Sequence, residues 1–479
     1  MKRLIAVVVL FVWIGIQIPA FAQSNGQAFY KQETLDAYIT QQMEWGRIPG
    51  LALGIVSKDG AALIKGYGTA GNGVEVTEGT VFPIASVSKV FTALAARQMI
   101  NAGILEEDGE VRTYLPGFSP TFRGQPARMR VHQLLTHTSG IAKIQGGAPY
   151  LYGESITLAD IVERERNLIL VRQPGTEYEY SNLNYLLLAA VLEAASGMTY
   201  EAYVGKHVLA PLQMAHTYLR EGQIPQGDRT QGYTLLYGQP LRLPYPEPNA
   251  LLPTGGIYTN AADLTRLLAC YLENGWYLNQ SILYAGNGKA SDTGDVFDIY
   301  WVPGSDAQKE LFHDGSMPEG TSSIRIDRQS GYAVVVLANA NDQDQFFANG
   351  VSAGTIGQDV LYYAKTGTVP KRPAPEEAYA RLALPVAMFG CLGGYVVYSA
   401  GAVCKRVKYP VAGVLADALL PLLALTAIPA YYNISWGWLL AYHPELNSTI
   451  LGCTGILLIG FSVKATIYIC KRREKSTIS

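Results

Sequence analysis

Ser86 and Lys89 stand three residues apart at the head of the apolar run "SVSKVFTALAARQMINAG". The run has helical periodicity, with Gly103 just past its end. Residues three apart on a helix share a face, so hydroxyl and amine would project together. A serine hydroxyl is a weak nucleophile until a base takes its proton. A lysine withdrawn from water near other positive charge can be neutral enough to do so. The helix N-terminus also favours the negative charge that develops on an attacked carbonyl. The pair alone carries little weight, because a chain this long shows about two Ser-x-x-Lys spacings by chance.

Further segments raise that weight. "PGTEYEYSNLNYLLLAAVLE" places Tyr180 and Asn182 in a turn before a helix, and "LFHDGSMPEGTSSIRID" places His313, Asp314 and Gly315 near the end of a strand. With "PIASVSKVFTALA", "LLTHTSGI", "YSNLNY" and "TGGIYTNAADL" in this order, the sequence resembles the serine β-lactamase and penicillin-binding protein superfamily. It is most like the class C β-lactamases and their esterase and D-aminopeptidase relatives, over about residues 30–365.

The resemblance implies that Ser86 is the acylated nucleophile and Lys89 its proton acceptor or electrostatic support. It makes Tyr180 the proton shuttle to the leaving group and Asn182 an orienting group for Lys89 or a substrate amide. His313-Asp314-Gly315 matches the third motif, and the backbone amides of Ser86 and Ser316 would form the oxyanion hole. The third motif is Lys-Thr-Gly in most β-lactamases and often His-x-Gly in the hydrolase relatives. A lysine there is a permanent charge suited to a carboxylate, whereas a histidine is only partly charged near neutral pH. The expected activity is hydrolysis of esters or amides through an acyl-enzyme, including D-alanyl groups of a cell envelope, with no cofactor and no metal. The rival readings are a penicillin-binding-like sensor with slow or no turnover, and a true β-lactamase.

Four look-alikes are set aside. Lys365-Thr366-Gly367 spells the third motif but follows the last helix of the domain, where it reads as a helix stop. Tyr258-Thr259-Asn260 repeats the Tyr-x-Asn spelling, yet Asn260 reads as an N-cap. Gly350-Val351-Ser352-Ala353-Gly354 fits a nucleophile elbow but follows no adjacent strand. His132 and His137 sit five apart with no Glu between them, so no zincin-type metal site is expected and His137 reads as structural.

The elements needed to position these residues point to an α+β fold. "LALGIVSKDGAALIKGYG" reads as two strands about a Lys-Asp-Gly turn. Strand patterns return at "FDIYWV", "KELFHD", "TSSIRID" and "YAVVVLAN", and "AGTIGQDVLYYAK" reads as a closing helix. Between about 104 and 290 the patterns are mostly helices and loops. The expectation is one antiparallel sheet built from N- and C-terminal strands, with flanking helices and an inserted helical region.

The 479-residue chain divides into compartments. Residues 1–23 have the basic start, apolar run and Ala-Phe-Ala end of a secretory signal peptide; an uncleaved anchor is the alternative. Residues 24–368 form the globular hydrolase domain and 369–381 a Pro-rich linker. Residues 382–470 hold three apolar stretches, near 382–403, 409–432 and 448–470, each long enough to span a bilayer. A basic tail, 471–479, follows. Lys405, Arg406 and Lys408, with Lys471, Arg472, Arg473 and Lys475, mark the cytoplasmic side. The domain is therefore expected outside the cytoplasm on a multi-pass cell-membrane protein, with the lipid bilayer as a partner. Trp436, Trp438 and Tyr442 suit an interfacial belt, and Asp417 and Lys464 are assigned structural roles within the spans. Cys270 is the single thiol of the globular part, so no disulfide is expected there. With 37 basic and 39 acidic side chains, the net charge of −2 gives no electrostatic basis for binding nucleic acid.

Overall fold

The computed structural model describes residues 31–477 except 61, 144, 147–155, 237, 243–250, 274–275, 278–279, 282–301, 304–309, 343–350, 373–378 and 405–443; of the last group only 419 and 426 are described. The predicted signal peptide, nearly all of the second apolar stretch, Asp417, the aromatic belt and most of "FDIYWV" lie outside the described residues.

Seven strands form one antiparallel sheet: β1 Gly50–Ser57, β2 Ala62–Gly71, β3 Val74–Glu75, β4 Val302–Pro303, β5 Glu310–Met317, β6 Gly320–Asp327 and β7 Tyr332–Ala338. Their order is β4-β5-β6-β7-β1-β2-β3, so the first strand of the domain pairs with the last, from Leu51 opposite Ala338 to Ser57 opposite Tyr332. This is the expected joining of terminal strands, with the helical region between them in sequence.

Five helices matter for the site: α1 Gln32–Gly46, α2 Ser88–Asn101, α3 Asn182–Ser196, α4 Ala261–Leu272 and α5 Ala353–Thr366. Alternate residues of the sheet enter two cores. Ala52 and Val56 of β1, with Ala333, Val335 and Leu337 of β7, join the core containing α2, α3 and α4. Leu51, Leu53 and Ile55, with Val334 and Val336, join α1 and α5 on the opposite face. Both faces are covered, which is why β1 and β7 read as unbroken apolar runs. α4 begins where the Asn260 side chain accepts the Asp263 N–H at 2.8 Å, and α3 ends at Gly197, whose φ is +68°.

The helical region also holds short pairings that the sequence reading missed. Thr121–Phe122 pairs with Gln125–Pro126 and Ile169–Leu170, and Tyr233–Leu236 with Gln239–Leu241 and Ala340–Asn341. Arg372, inside the expected linker, contacts the domain. Arg372 makes a two-pronged ion pair with the buried Asp359 of α5, which also accepts from the Tyr38 hydroxyl of α1.

Beyond the domain lie α6 Tyr379–Cys404 and α7 Pro444–Thr477, which pack against each other. A Cβ on Gly460 would lie 2.9 Å from Val396, and Lys464, wholly buried, donates to the Tyr395 hydroxyl at 3.2 Å. Among the described residues one segment, Asn447–Ile467, is long and apolar enough to cross a membrane, and Val386–Val397 is a shorter apolar run.

Candidate active site

Ser86 lies in a 3-10 turn, Ala85–Val87, that leads directly into α2. Ala85 has φ +46°, a left-handed conformation costly for a residue with a Cβ. Its neighbour Ile84 is tied on both sides: its N–H donates to the Ile257 carbonyl at 3.0 Å, and its carbonyl accepts from the Ser322 hydroxyl at 2.7 Å. The turn thus fixes Ser86 between the sheet and the 251–257 segment.

Lys89, in the first turn of α2, is wholly buried. Its Nζ donates to Ser86 Oγ at 3.1 Å and to the Thr254 carbonyl at 2.6 Å. Tyr180 brings its hydroxyl within 2.9 Å of Ser86 Oγ and donates to Asn182 Oδ1 at 3.2 Å. A phenol has one proton to give. With that proton on Asn182, the Ser86 hydroxyl donates to Tyr180, and the chain runs Lys89, Ser86, Tyr180, Asn182. Lys89 Nζ also sits 5.1 Å from the centroid of the Tyr180 ring. The four residues singled out in the sequence are therefore joined in one hydrogen-bonded series.

His313, Gly315 and Met317 are the buried side of this end of β5, while Asp314 and Ser316 face outward. Gly315 is pressed against the nucleophile turn: a Cβ there would lie 2.4 Å from the Ile84 carbonyl and 2.2 Å from Ser322 Oγ. Only glycine fits, and its absence of side chain carries the next residue, Ser316, past the turn. The Ser316 hydroxyl accepts from Asn341 Nδ2 at 2.9 Å. Burial, and then the charge of Lys89, lower His313 to about 3, so the third-motif histidine is neutral at physiological pH rather than partly charged.

The look-alikes have other employment. Lys365 pairs with Asp327 and Gly367 ends α5 with φ +72°; Ser352 caps α5 by accepting the Thr355 N–H at 3.3 Å; His132 Nδ1 lies 3.0 Å from Asp108. The sequence reading missed the Thr254 carbonyl, although "TGGIYTNAADL" was among the segments that carried the resemblance. It also gave no specific task to His137, whose ring lies on that of Tyr180.

A model of the Beta-lactamase family matches residues 35–353, well over half of the chain. The chain belongs to the Beta-lactamase family. Within and around that family it is similar to "Protein flp" of Staphylococcus aureus (strain MW2), 28% identical over 319 residues, covering 65% of this chain and 64% of that protein. The chain thus spans less than two thirds of that relative's length. It is 26% identical over 364 residues to a "Putative D-alanyl-D-alanine carboxypeptidase" of Escherichia coli (strain K12), covering 64% of this chain and 81% of the other. Among solved structures, the octameric penicillin-binding protein homologue from Pyrococcus abyssi shares the fold, with a TM-score of 0.59, 24% identity and coverage of 74% of this chain and 82% of that one.

Proposed function

We propose that this Beta-lactamase family member is an extracytoplasmic, membrane-anchored serine hydrolase acting on esters or amides through an acyl-enzyme at Ser86. The observation that supports it most is the Ser86 Oγ held between Lys89 Nζ at 3.1 Å and the Tyr180 hydroxyl at 2.9 Å. In this reading Ser86 attacks the carbonyl and passes its proton to the Tyr180 oxygen, while Tyr180 passes its own to the departing alcohol or amine. Lys89, donating to Ser86 Oγ, stabilises the charge on that oxygen. The amides of Ser86 and Ser316 hold the tetrahedral oxyanion, and water returns by the same relay to release the acid.

A neutral His313 offers no fixed charge to a substrate carboxylate, which favours esters and amides without an acidic end over β-lactams. The name of the Escherichia coli relative supports D-alanyl groups as the acyl part, with the neutral His313 favouring a leaving group that carries no carboxylate. The expected signal peptide, the three apolar stretches of the sequence and their positive flanks support an anchored, outward-facing domain.

A fluorophosphonate probe should add to the wild-type chain and not to Ser86→Ala, as read by intact-protein mass spectrometry. Equal labelling of both, or of neither, would overturn the assignment. Adducts of p-nitrophenyl esters should clear within minutes; adducts that persist for hours would favour the sensor reading. Release of the chain from membranes by alkaline carbonate would defeat the anchoring.

A further inference from the structure

Tyr180 is held in place from both sides by one residue. The His137 carbonyl accepts the Glu179 N–H at 2.8 Å, and its Nδ1 accepts the Ser181 N–H at 3.3 Å. The residues on either side of Tyr180, Glu179 and Ser181, therefore both donate their N–H to His137. Its ring also lies on the Tyr180 ring, with centroids 4.6 Å apart and planes 34° from parallel, and against Tyr185 at 5.3 Å.

The hydrogen bonds fix which nitrogen carries the proton. Asn184 Oδ1 accepts from the Ser139 hydroxyl at 2.5 Å, which leaves Asn184 Nδ2 to donate to His137 Nδ1 at 2.9 Å. Two donors converge on Nδ1, so the imidazole proton sits on Nε2. Burial, and then the charge of Lys89, hold His137 well below the usual histidine range, which keeps Nδ1 an acceptor. His137 does this from φ +54°, a backbone conformation that histidine adopts only at a cost.

We infer that His137 is a positioning residue that holds the Tyr180 hydroxyl at hydrogen-bond distance from Ser86 without itself touching substrate. The inference rests on the reading of Tyr180 as the proton carrier. It distinguishes two functions of the imidazole, which separate substitutions remove. His137→Asn keeps an acceptor near the place of Nδ1 and suits a left-handed backbone, but loses the ring. His137→Phe keeps a ring and loses the acceptor.

The test is turnover of p-nitrophenyl acetate by the full-length chain in detergent, for wild type, both His137 variants, Tyr180→Phe and the doubles. kcat should fall about tenfold in His137→Asn and about 100-fold in His137→Phe, the scale of loss expected when a reacting group is misplaced by about 1 Å. KM should stay within about twofold. In the Tyr180→Phe background the His137 substitutions should cost less than about twofold more, because the hydroxyl they position is gone. If the His137 losses are the same in both backgrounds, or fall on KM rather than kcat, the inference is wrong. Should Tyr180→Phe turn over too slowly to time, the division between kcat and KM decides alone; should His137→Phe not fold, His137→Asn carries the cycle. An inactive, unlabelled wild type would defeat the hydrolase reading and this inference with it, whereas an active wild type with additive losses defeats the inference alone.

Discussion

At the scale of single residues, His313 couples the site to stability. Its ordinary value of about 6.5 applies in the unfolded chain, while burial and the Lys89 charge lower it to about 3 in the folded one. Between those values the unfolded chain binds a proton that the folded chain does not, so stability is full above about pH 6.5 and is lost as pH falls towards 3. His137 acts in the same direction. His313→Gln should therefore flatten, without abolishing, the fall of melting temperature between about pH 6.5 and 4, measured by circular dichroism; an unchanged slope would contradict the buried neutral histidine. Side chains such as Ser86, Lys89, Tyr180 and Asn182 were legible in the sequence because their chemistry is written in their type and order. The Thr254 carbonyl was not, since every residue carries one and only the fold aims it at Lys89. His313 was legible as a position but not as a neutral group, because its charge depends on burial.

At the scale of elements, β5 and the 3-10 turn are fitted to each other at Gly315. A methyl group there would meet the Ile84 backbone, which Ser322 and Ile257 hold in place, so the turn could yield only by moving Ser86. Gly315→Ala should cost about 1–3 kcal/mol of stability, seen as a lower melting temperature, and slow fluorophosphonate labelling of Ser86 more than tenfold, about the scale of a misplaced reacting group. Labelling at the wild-type rate would show that the turn is not so constrained. The central strands were legible because burial on both faces writes a long apolar run. The short pairings at Thr121–Phe122 and Ala340–Asn341 were not, because two residues cannot display a period of two. α1 was missed although Leu35, Tyr38, Ile39, Gln42, Met43 and Gly46 form its buried face at helical spacing, a signal that the sequence did contain.

At the scale of the whole molecule, the two ends of the domain are fastened together. The Tyr363 hydroxyl of α5 donates to the Lys31 carbonyl at 2.9 Å, just before α1, and Arg372 closes over Asp359 where α5 faces Tyr38 of α1. A soluble version ending after Gly367 leaves the buried Asp359 without its arginine. It should be less stable than one ending after Arg372 by about 1–3 kcal/mol, read from urea unfolding; equal midpoints would mean that the clamp contributes nothing. Composition marked this stretch as linker, and composition alone could not show that Arg372 reaches back to Asp359.

That clamp also sets a tether length. From Arg372 to the first residue of α6 only 373–378 intervene, a stretch of about 25 Å at full extension. Under the proposed anchoring, with α6 in a bilayer, the domain would stand within that length of the membrane surface. The concentration that matters to it would then be that of acyl groups near this surface, not in the surrounding fluid. Lengthening the stretch would change which substrates it meets without altering a single atom of the site.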